Sequence, residues 1–393
     1  MKKRPASSQK FSTLLVHAGE APDETTGAIA PVLVRTKTFA QKTFGVEATY
    51  QYSRGKHPTR DKLEEKLATL EGGGQAVLFA SGLAAETAFL LTLSPEDHVL
   101  CCEEVYGGTF RLLDGLLSRF GITASYVNFN FEEDIRKSIQ SNTKWLWVET
   151  PTNPSLHIVD LALVSKVSRD TKIPFVVDGT FAPPCTTRPF EYGAHTVIHS
   201  LSKYIAGHND VLGGAVITKD KSLYEQMGFM LKTVGAVLSP DEVYRVLQGV
   251  KTLQMRWEWV SESALRVAKF LAESNKVKRA LYPGLPSHPG HAIAKRQMQN
   301  GYGGVLSFEL TETRLEKLKL FVDVARAEGP IVYAESLASP ETILAYPPLM
   351  SHKSLPSDVR LSLGIGDSFF RLSLGFEDAG DVIAGLSYAL ATI

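Results

Sequence analysis

Lys203 follows an apolar run, Thr196–Ile198, in the segment His199-Ser200-Leu201-Ser202-Lys203, so two hydroxyl side chains precede the amine. Other apolar runs end in polar residues too. Val176-Val177 gives way to Asp178-Gly179-Thr180, and Leu78-Phe79-Ala80 to Ser81-Gly82-Leu83, where a helical pattern begins. Val99–Cys102 leads to Tyr106-Gly107-Gly108, and Trp147-Val148 to Glu149-Thr150-Pro151-Thr152-Asn153-Pro154. A lysine amine can form an imine with an aldehyde, and a carboxylate can keep a pyridine nitrogen protonated. Small residues at a helix N-terminus let backbone N–H groups approach a phosphate. The hydroxyls of Ser200 and Ser202 can reach the same phosphate, and Tyr106 can stack on a ring. Together these are the groups that pyridoxal 5'-phosphate (PLP) requires. Taken singly, each has a plainer explanation: a Ser-Gly pair is a tight turn, an Asp after a strand caps a turn, and a lysine is solvated. The joint arrangement at the ends of several runs carries the reading.

Such residues must be brought to one edge. The runs Ala76–Ala80, His98–Cys102, Ala124–Phe129, Trp145–Val148, Phe175–Val177, Thr196–Ile198 and Gly214–Thr218 have the length of strands. Between most of them lie helix-like stretches, among them Ala84–Leu93, Thr109–Arg119 and Asp160–Arg169. This alternation predicts an α/β fold with a mostly parallel sheet, whose ligands bind at the carboxyl ends of the strands. A helix is expected from about Thr59, with Leu63, Leu67 and Leu70 on one face, stopped by Gly72-Gly73-Gly74. After about Val250 the pattern changes to a long helical stretch, Lys251–Ser274, a turn-rich segment from Tyr282 to Gly290, strand-like Val305–Leu310 and Phe370–Leu374, and a last helix from about Asp378. The organisation expected is an N-terminal arm over residues 1–55, a large cofactor-binding domain over 56–250 and a smaller C-terminal α/β domain over 251–393.

Composition narrows the classes. With 393 residues the chain exceeds one small core. Lys plus Arg and Asp plus Glu both number 42, so no polyanion or anionic membrane surface is implied, and neither nucleic acid nor membrane is an expected partner. No apolar run approaches the roughly 20 residues of a membrane helix, and the basic stretch Met1–Lys10 lacks the apolar region of a secretory signal. Cys101, Cys102 and Cys185 read as reduced thiols of a cytoplasmic protein. His195, His199 and His208 lack the carboxylate or cysteine partners of a metal site, so no metal is expected.

From about Thr13 to the C-terminus the chain resembles the Cys/Met-metabolism family of PLP enzymes. The resemblance rests on Tyr52-Ser53-Arg54, Pro58-Thr59-Arg60, Phe79–Ala85, Val105–Thr109, Trp147–Pro154, Lys203–Asp210, Tyr282–Pro289, Glu335-Ser336-Leu337 and Arg371-Leu372-Ser373. It implies the aspartate aminotransferase-like fold (fold type I) and a homotetramer built as a dimer of dimers, with a small-molecule amino acid as substrate. Under this resemblance Lys203 is the Schiff-base lysine and proton shuttle, Asp178 the partner of the pyridine nitrogen, and Thr180 its neighbour. Ser81, Gly82, Leu83, Ser200 and Ser202 are phosphate or ring contacts, and Tyr106 stacks on the cofactor and joins Lys203 in acid–base work. Tyr52 and Arg54 reach the phosphate of a neighbouring subunit. Arg371 clamps the substrate carboxylate with Ser336 and Asn153 nearby, a task suited to a planar guanidinium.

Several positions depart from the family pattern. Gly179 replaces a usual Asn, Ser202 a usual Thr, Lys56-His57 a usual Gly-Asn, and Ala338-Ser339 a usual Gly-Gly. Arg35 and Lys37 lie in a stretch that is usually rich in Ser and Thr. Ser202 keeps the hydroxyl, so these changes leave the cofactor site intact; the resemblance places the arm and the segment after Ser336 beside the substrate pocket.

Gly108 occupies the position where methionine-cleaving members carry Cys, and Glu335 the position where β-lyases carry Tyr. Glu335 suits a substrate whose far end bears an ammonium, and Gly235–Pro240 resembles the γ-lyase form of its loop. The reaction expected is α,γ-elimination on cystathionine, giving cysteine, 2-oxobutyrate and ammonia. The γ-synthase reaction, or another γ-replacement on an O-acylated homoserine, is the alternative. A non-catalytic binding protein of the same fold would have lost Lys203, Asp178 or Arg371, and all three are present.

Overall fold

The structure, a computed structural model, describes residues 9–351, 353 and 357–393. The start of the basic N-terminal stretch, residues 1–8, lies outside the described residues. The apolar runs form strands: β1 (Gln75–Phe79), β2 (His98–Cys102), β3 (Thr123–Val127), β4 (Thr143–Glu149), β5 (Phe175–Asp178), β6 (Thr196–Ser200) and β7 (Gly214–Thr218). They make one sheet in the order β1-β7-β6-β5-β4-β2-β3. Only β7 runs antiparallel to its neighbours, which pair with it on both sides. β2, β5 and β7 are buried along their whole length, as strands covered by helices on both faces must be. That burial explains why they read as unbroken apolar runs rather than alternating ones.

A second sheet, in the order β10-β11-β12-β9-β8, uses β8 (Val277–Leu281), β9 (Val305–Leu310), β10 (Ile331–Tyr333), β11 (Thr342–Ala345) and β12 (Phe369–Ser373). Apart from the parallel β10–β11 pair it is antiparallel. It has a core of its own, with Phe308, Phe321 and Phe370 packed ring against ring. The helix Leu253–Glu273 runs between the two cores: Leu253, Trp257 and Val260 pack into the first, and Ala264, Val267 and Leu271 into the second.

Four helices matter to the site and to the arm: α1 (Phe11–His17), α2 (Pro58–Leu70), α3 (Gly82–Leu90) and α4 (Gly107–Phe110). The stretch expected as one helix over Thr109–Arg119 is instead α4 followed by a wider turn over Arg111–Leu116 and a tighter one over Leu117–Phe120. The first residues are not wholly irregular, because α1 is pinned. Lys66 of α2 is fully buried; its ammonium donates to the Leu15 carbonyl at the end of α1 (2.7 Å) and pairs with Glu20 (2.9 Å), which also holds Lys251 (2.7 Å). Beyond Glu20 the arm is mostly extended, with one bridge between Thr38 and Tyr52.

A buried ion pair is costly to break from one side. Lys66→Met, which keeps the apolar stem and removes the ammonium, is expected to lower stability by about 3 kcal/mol. It should also expose the chain around residues 9–20 to proteolysis. Urea unfolding and limited digestion measure the two; an unchanged midpoint with an intact arm would show that the triad does not hold α1.

Candidate active site

The ends of β5, β6, β4 and β2 meet the start of α3 around one cavity of about 880 Å³. Ser81 caps α3 by accepting the Ala84 N–H on its hydroxyl (3.0 Å), and the cap starts the helix where β1 ends. Gly82 packs directly on the end of β6: a Cβ at this position would lie 2.8 Å from the Cβ of Ser200. The N-terminus of α3 therefore opens into the cavity with nothing larger than hydrogen on its first residue, a cradle for an anion.

Asp178 ends β5, is buried, and accepts the Thr180 N–H on Oδ1 (2.9 Å). Burial pushes its carboxyl up from the usual range, against the Thr180 hydrogen bonds and the nearby His199. No cationic side chain forms an ion pair with it among the described residues. Thr180 in turn accepts the Ser200 N–H on its hydroxyl (2.9 Å), which ties the end of β5 to that of β6. Ser202 accepts the Gly213 N–H (3.0 Å). Lys203 follows, and its Nζ donates to Ser336 Oγ at 2.7 Å. Burial and the adjacent Arg371 lower its pKa to about 8, with Glu335 opposing them.

Arg371, on β12, comes from the second sheet. Its Nη1 donates to Asn153 Oδ1 (2.7 Å) and its Nη2 to the Ser336 carbonyl (2.7 Å), while its buried Nε has no partner. A buried guanidinium with a free donor invites a carboxylate. Burial lowers its pKa to about 10. Tyr106 leaves its ring partly open, with 38% exposure, and sends its backbone N–H to Glu149 Oε2 (2.6 Å). Glu335 lines the cavity from an exposed position.

Ser81, Gly82, Leu83, Tyr106, Asn153, Asp178, Thr180, Ser200, Ser202, Lys203, Glu335, Ser336 and Arg371 thus all line one cavity. Tyr52 and Arg54 do not. Arg54 lies 5.4 Å over the Tyr52 ring and donates to the Lys232 carbonyl (3.1 Å). Sequence reasoning passed over three residues on the same wall. Glu86, one turn along α3 from Gly82, accepts the Thr109 hydroxyl (2.7 Å), and burial with Asp178 nearby raises its pKa to about 8. Its signal was one charge in an otherwise apolar helix. Glu149 and Arg111 also line the cavity. The three histidines lie elsewhere: His199 pairs with buried Glu71 (2.5 Å), His195 with Asp220 (3.2 Å), and His208 with the Ala206 carbonyl (2.6 Å). His199 also accounts for Gly179, because a Cβ there would stand 2.7 Å from the imidazole Cε1. Cys101, Cys102 and Cys185 are buried free thiols that burial holds in the protonated form.

Residues 12–391 match the model of the family described as "Cys/Met metabolism PLP-dependent enzyme". The chain belongs to this family. It is 42% identical to the cystathionine beta-lyase of Coxiella burnetii, over 97% of each chain. It is 39% identical to the cystathionine gamma-lyase of Bacillus subtilis, over 98% of this chain and all of the other. The crystal structure of cystathionine gamma synthase from Xanthomonas oryzae pv. oryzae in complex with cystathionine superposes with a TM-score of 0.93, at 34% identity over 98% of both chains. This member of the family is therefore a PLP-dependent enzyme of sulfur amino-acid chemistry with the fold type I architecture. The cavity suits the cofactor: an anion cradle at Gly82, a buried carboxylate at Asp178 without a cation, and an amine at Lys203 close to neutrality. Among the described residues no helix is long and apolar enough to cross a membrane.

The lowered pKa of Lys203 has a measurable sign. In cofactor-free protein the amine should be half reactive near pH 8 rather than near 10.5. Competitive acylation followed by peptide mapping reads this out. Between those two values the unfolded chain holds the proton and the folded chain does not, so this group's contribution makes the cofactor-free protein more stable as pH rises. Half-reaction at Lys203 near pH 10.5 would contradict the burial argument.

Proposed function

We propose that the enzyme catalyses α,γ-elimination of cystathionine to cysteine, 2-oxobutyrate and ammonia, consuming one water. The reading rests on Glu335. It lines the same cavity as Lys203 and Arg371 and its charge acts on both. An amino acid held by its carboxylate at Arg371 and extending toward the mouth would bring its far end to Glu335, where a distal ammonium finds an anion. A relative named for each of the β-lyase, γ-lyase and γ-synthase reactions matches across nearly the whole chain, so similarity supports the shared chemistry and the rim of the cavity must select the reaction.

In this reading Arg371 binds the α-carboxylate, and Asn153 and the Ser336 carbonyl, which accept from its guanidinium, orient it. PLP, when bound, supplies the electron sink that acidifies the hydrogens on Cα and then Cβ. Lys203, neutral above about pH 8, takes the proton from Cα and carries protons along the substrate from its seat beside Ser336. Tyr106 holds its phenolic proton where the sulfur leaves from Cγ. Asp178 would hold its carboxylate to the protonated ring nitrogen of the bound cofactor, a partner that offsets its burial. Ser81, Gly82, Leu83, Ser200 and Ser202 hold the phosphate, with Thr180 setting the distance between strands. We read residues 56–250 as the domain that performs this binding and 251–393 as the domain that supplies Arg371 and Glu335.

We also infer a homotetramer built as a dimer of dimers, with the arm, residues 1–55, laid over a neighbour's site. Tyr52 and Arg54 lie outside this chain's own cavity, and Ile29, Phe44 and Val46 of the same arm are exposed.

Two experiments test these readings. With cystathionine as substrate, 2-oxobutyrate and cysteine should be the main products, and Lys203→Ala should abolish both turnover and the visible absorbance of bound cofactor. Glu335→Val should lower kcat/KM for cystathionine relative to methionine by about tenfold, the lower end for a charge-assisted contact because Glu335 is exposed. Pyruvate and homocysteine as main products would make the enzyme a β-lyase. Rapid formation of cystathionine from O-acylated homoserine and cysteine, with only traces of 2-oxobutyrate, would make it a γ-synthase. For the shared site, Tyr52→Phe/Arg54→Ala and Lys203→Ala proteins, each inactive, should regain up to one working site in two when mixed; an active monomer in sedimentation ends that idea.

A further inference from the structure

Glu149 ends β4 and lies beside Asp178 in the parallel register of β4 and β5. The two carboxyls are both buried, and burial pushes both up from the usual range. Their hydrogen bonding separates them. On Asp178 one oxygen takes the Thr180 N–H. On Glu149 each oxygen is engaged by a backbone donor from a different segment. Oε2 accepts the Tyr106 N–H (2.6 Å), at the N-terminal end of α4, and Oε1 accepts the Asn153 N–H (2.9 Å), in the loop that follows β4. From Asn153 the bonding continues: its side chain accepts from Arg371 (2.7 Å), Arg371 donates to the Ser336 carbonyl (2.7 Å), and the Ser336 hydroxyl accepts from Lys203 (2.7 Å). Tyr106 and Lys203 are thus joined through Glu149 and the Asn153–Arg371 pair.

We propose that Glu149 is a positioning residue that locks Tyr106 to the Asn153–Arg371 clamp, so that one buried carboxylate sets the ring-stacking side and the substrate-carboxylate side of the site together. Only a carboxylate of this length does both. It has two acceptor oxygens for two N–H donors. A carboxamide offers one acceptor and turns an NH₂ against the other donor, leaving a buried N–H without a partner. Aspartate is one methylene too short to span both. The inference rests on the clamp reading of Asn153 and Arg371 and is independent of which amino acid is cleaved.

The test uses holoenzyme of Glu149→Gln, with Asn153→Ala and the double variant alongside, compared at equal cofactor content. Two readouts are expected to move. The visible circular dichroism of the bound cofactor, which needs no substrate, should change as Tyr106 shifts. KM for the best substrate found should rise by about tenfold in Glu149→Gln, the effect of one charge-assisted hydrogen bond, with kcat less affected. In the Asn153→Ala background the same substitution should raise KM far less, because the clamp is already broken. If the glutamine variant does not fold, Glu149→Asp carries the same two measurements. Unchanged dichroism and KM in a folded, fully loaded variant would overturn the proposal. So would an equal KM rise in both backgrounds, since two independent losses would add. A changed dichroism with turnover of some amino acid other than cystathionine would leave Glu149 in its role and count against the cystathionine reading alone.

Discussion

The hydroxyl of Thr180 joins the two strand ends on which the site is built. Its oxygen accepts the Ser200 N–H while its backbone N–H binds Asp178, so one residue fixes the end of β5 against the end of β6. Asp178 belongs to the first strand and Lys203 follows the second. The two strand ends are therefore spaced by two hydrogen bonds of 2.9 Å and by the register of parallel strands, and Lys203 stands in the turn that leaves the second of them. Gly82 fits against Ser200 on the same strand end, which brings the N-terminus of α3 to a fixed place beside them. Rigid elements place these groups, whereas Glu335 and Ser336 sit on the chain between β10 and β11.

Charge is sorted across the cavity. Glu86, Glu149 and Asp178 occupy one side, and burial pushes each up; the Asp178 charge adds to the push on Glu86 and Glu149, while the Tyr106 and Asn153 N–H groups oppose it on Glu149. Lys203 and Arg371 occupy the other, where burial draws both pKa values down and the Arg371 cation lowers that of Lys203 further. A protonated ring nitrogen on the first side and a carboxylate on the second would each relieve a desolvation cost that the protein alone leaves standing. Burial first and the Arg371 cation second draw Lys203 toward neutrality, and its one opposing anion, Glu335, is exposed to water that screens it.

Much of this was legible in the sequence because the large sheet is parallel. Parallel strands are buried on both faces, so β2 and β5 appear as short apolar runs with sharp polar ends, and those ends are where the chemistry lies. Thirteen of the fifteen candidate residues line one cavity, with Arg371 reaching it from the second sheet. Other features left no such mark. β10 is three residues long and β11 four, too short for periodicity to show. The turn over Arg111–Leu116 keeps a helical pattern of side chains while its backbone widens. Glu86 and Glu149 were passed over because a buried carboxylate is recognised by what donates to it, and the donors, the Thr109 hydroxyl and the N–H groups of Tyr106 and Asn153, are 4 to 43 positions away.

The departures from the family pattern gain physical content at the rim. Ser336 and Ala338 both have positive φ, +86° and +62°, a conformation that costs a residue with a Cβ about 1–2 kcal/mol. They persist because the segment is held from several sides. The Ser336 carbonyl and hydroxyl bind Arg371 and Lys203, and the Ala338 N–H donates to Ser373 Oγ (2.9 Å). A glycine at 338 would enter this conformation without strain and leave it as easily. Alanine at this φ costs stability that a Gly-Gly pair would not, so the hydrogen bonds around Ser336 and Ala338 have to offset it. The chain matches relatives named for three different reactions along nearly its whole length, and the Ser336–Ala338 segment holds an exposed Glu335 on a strained backbone at the mouth of the same cavity.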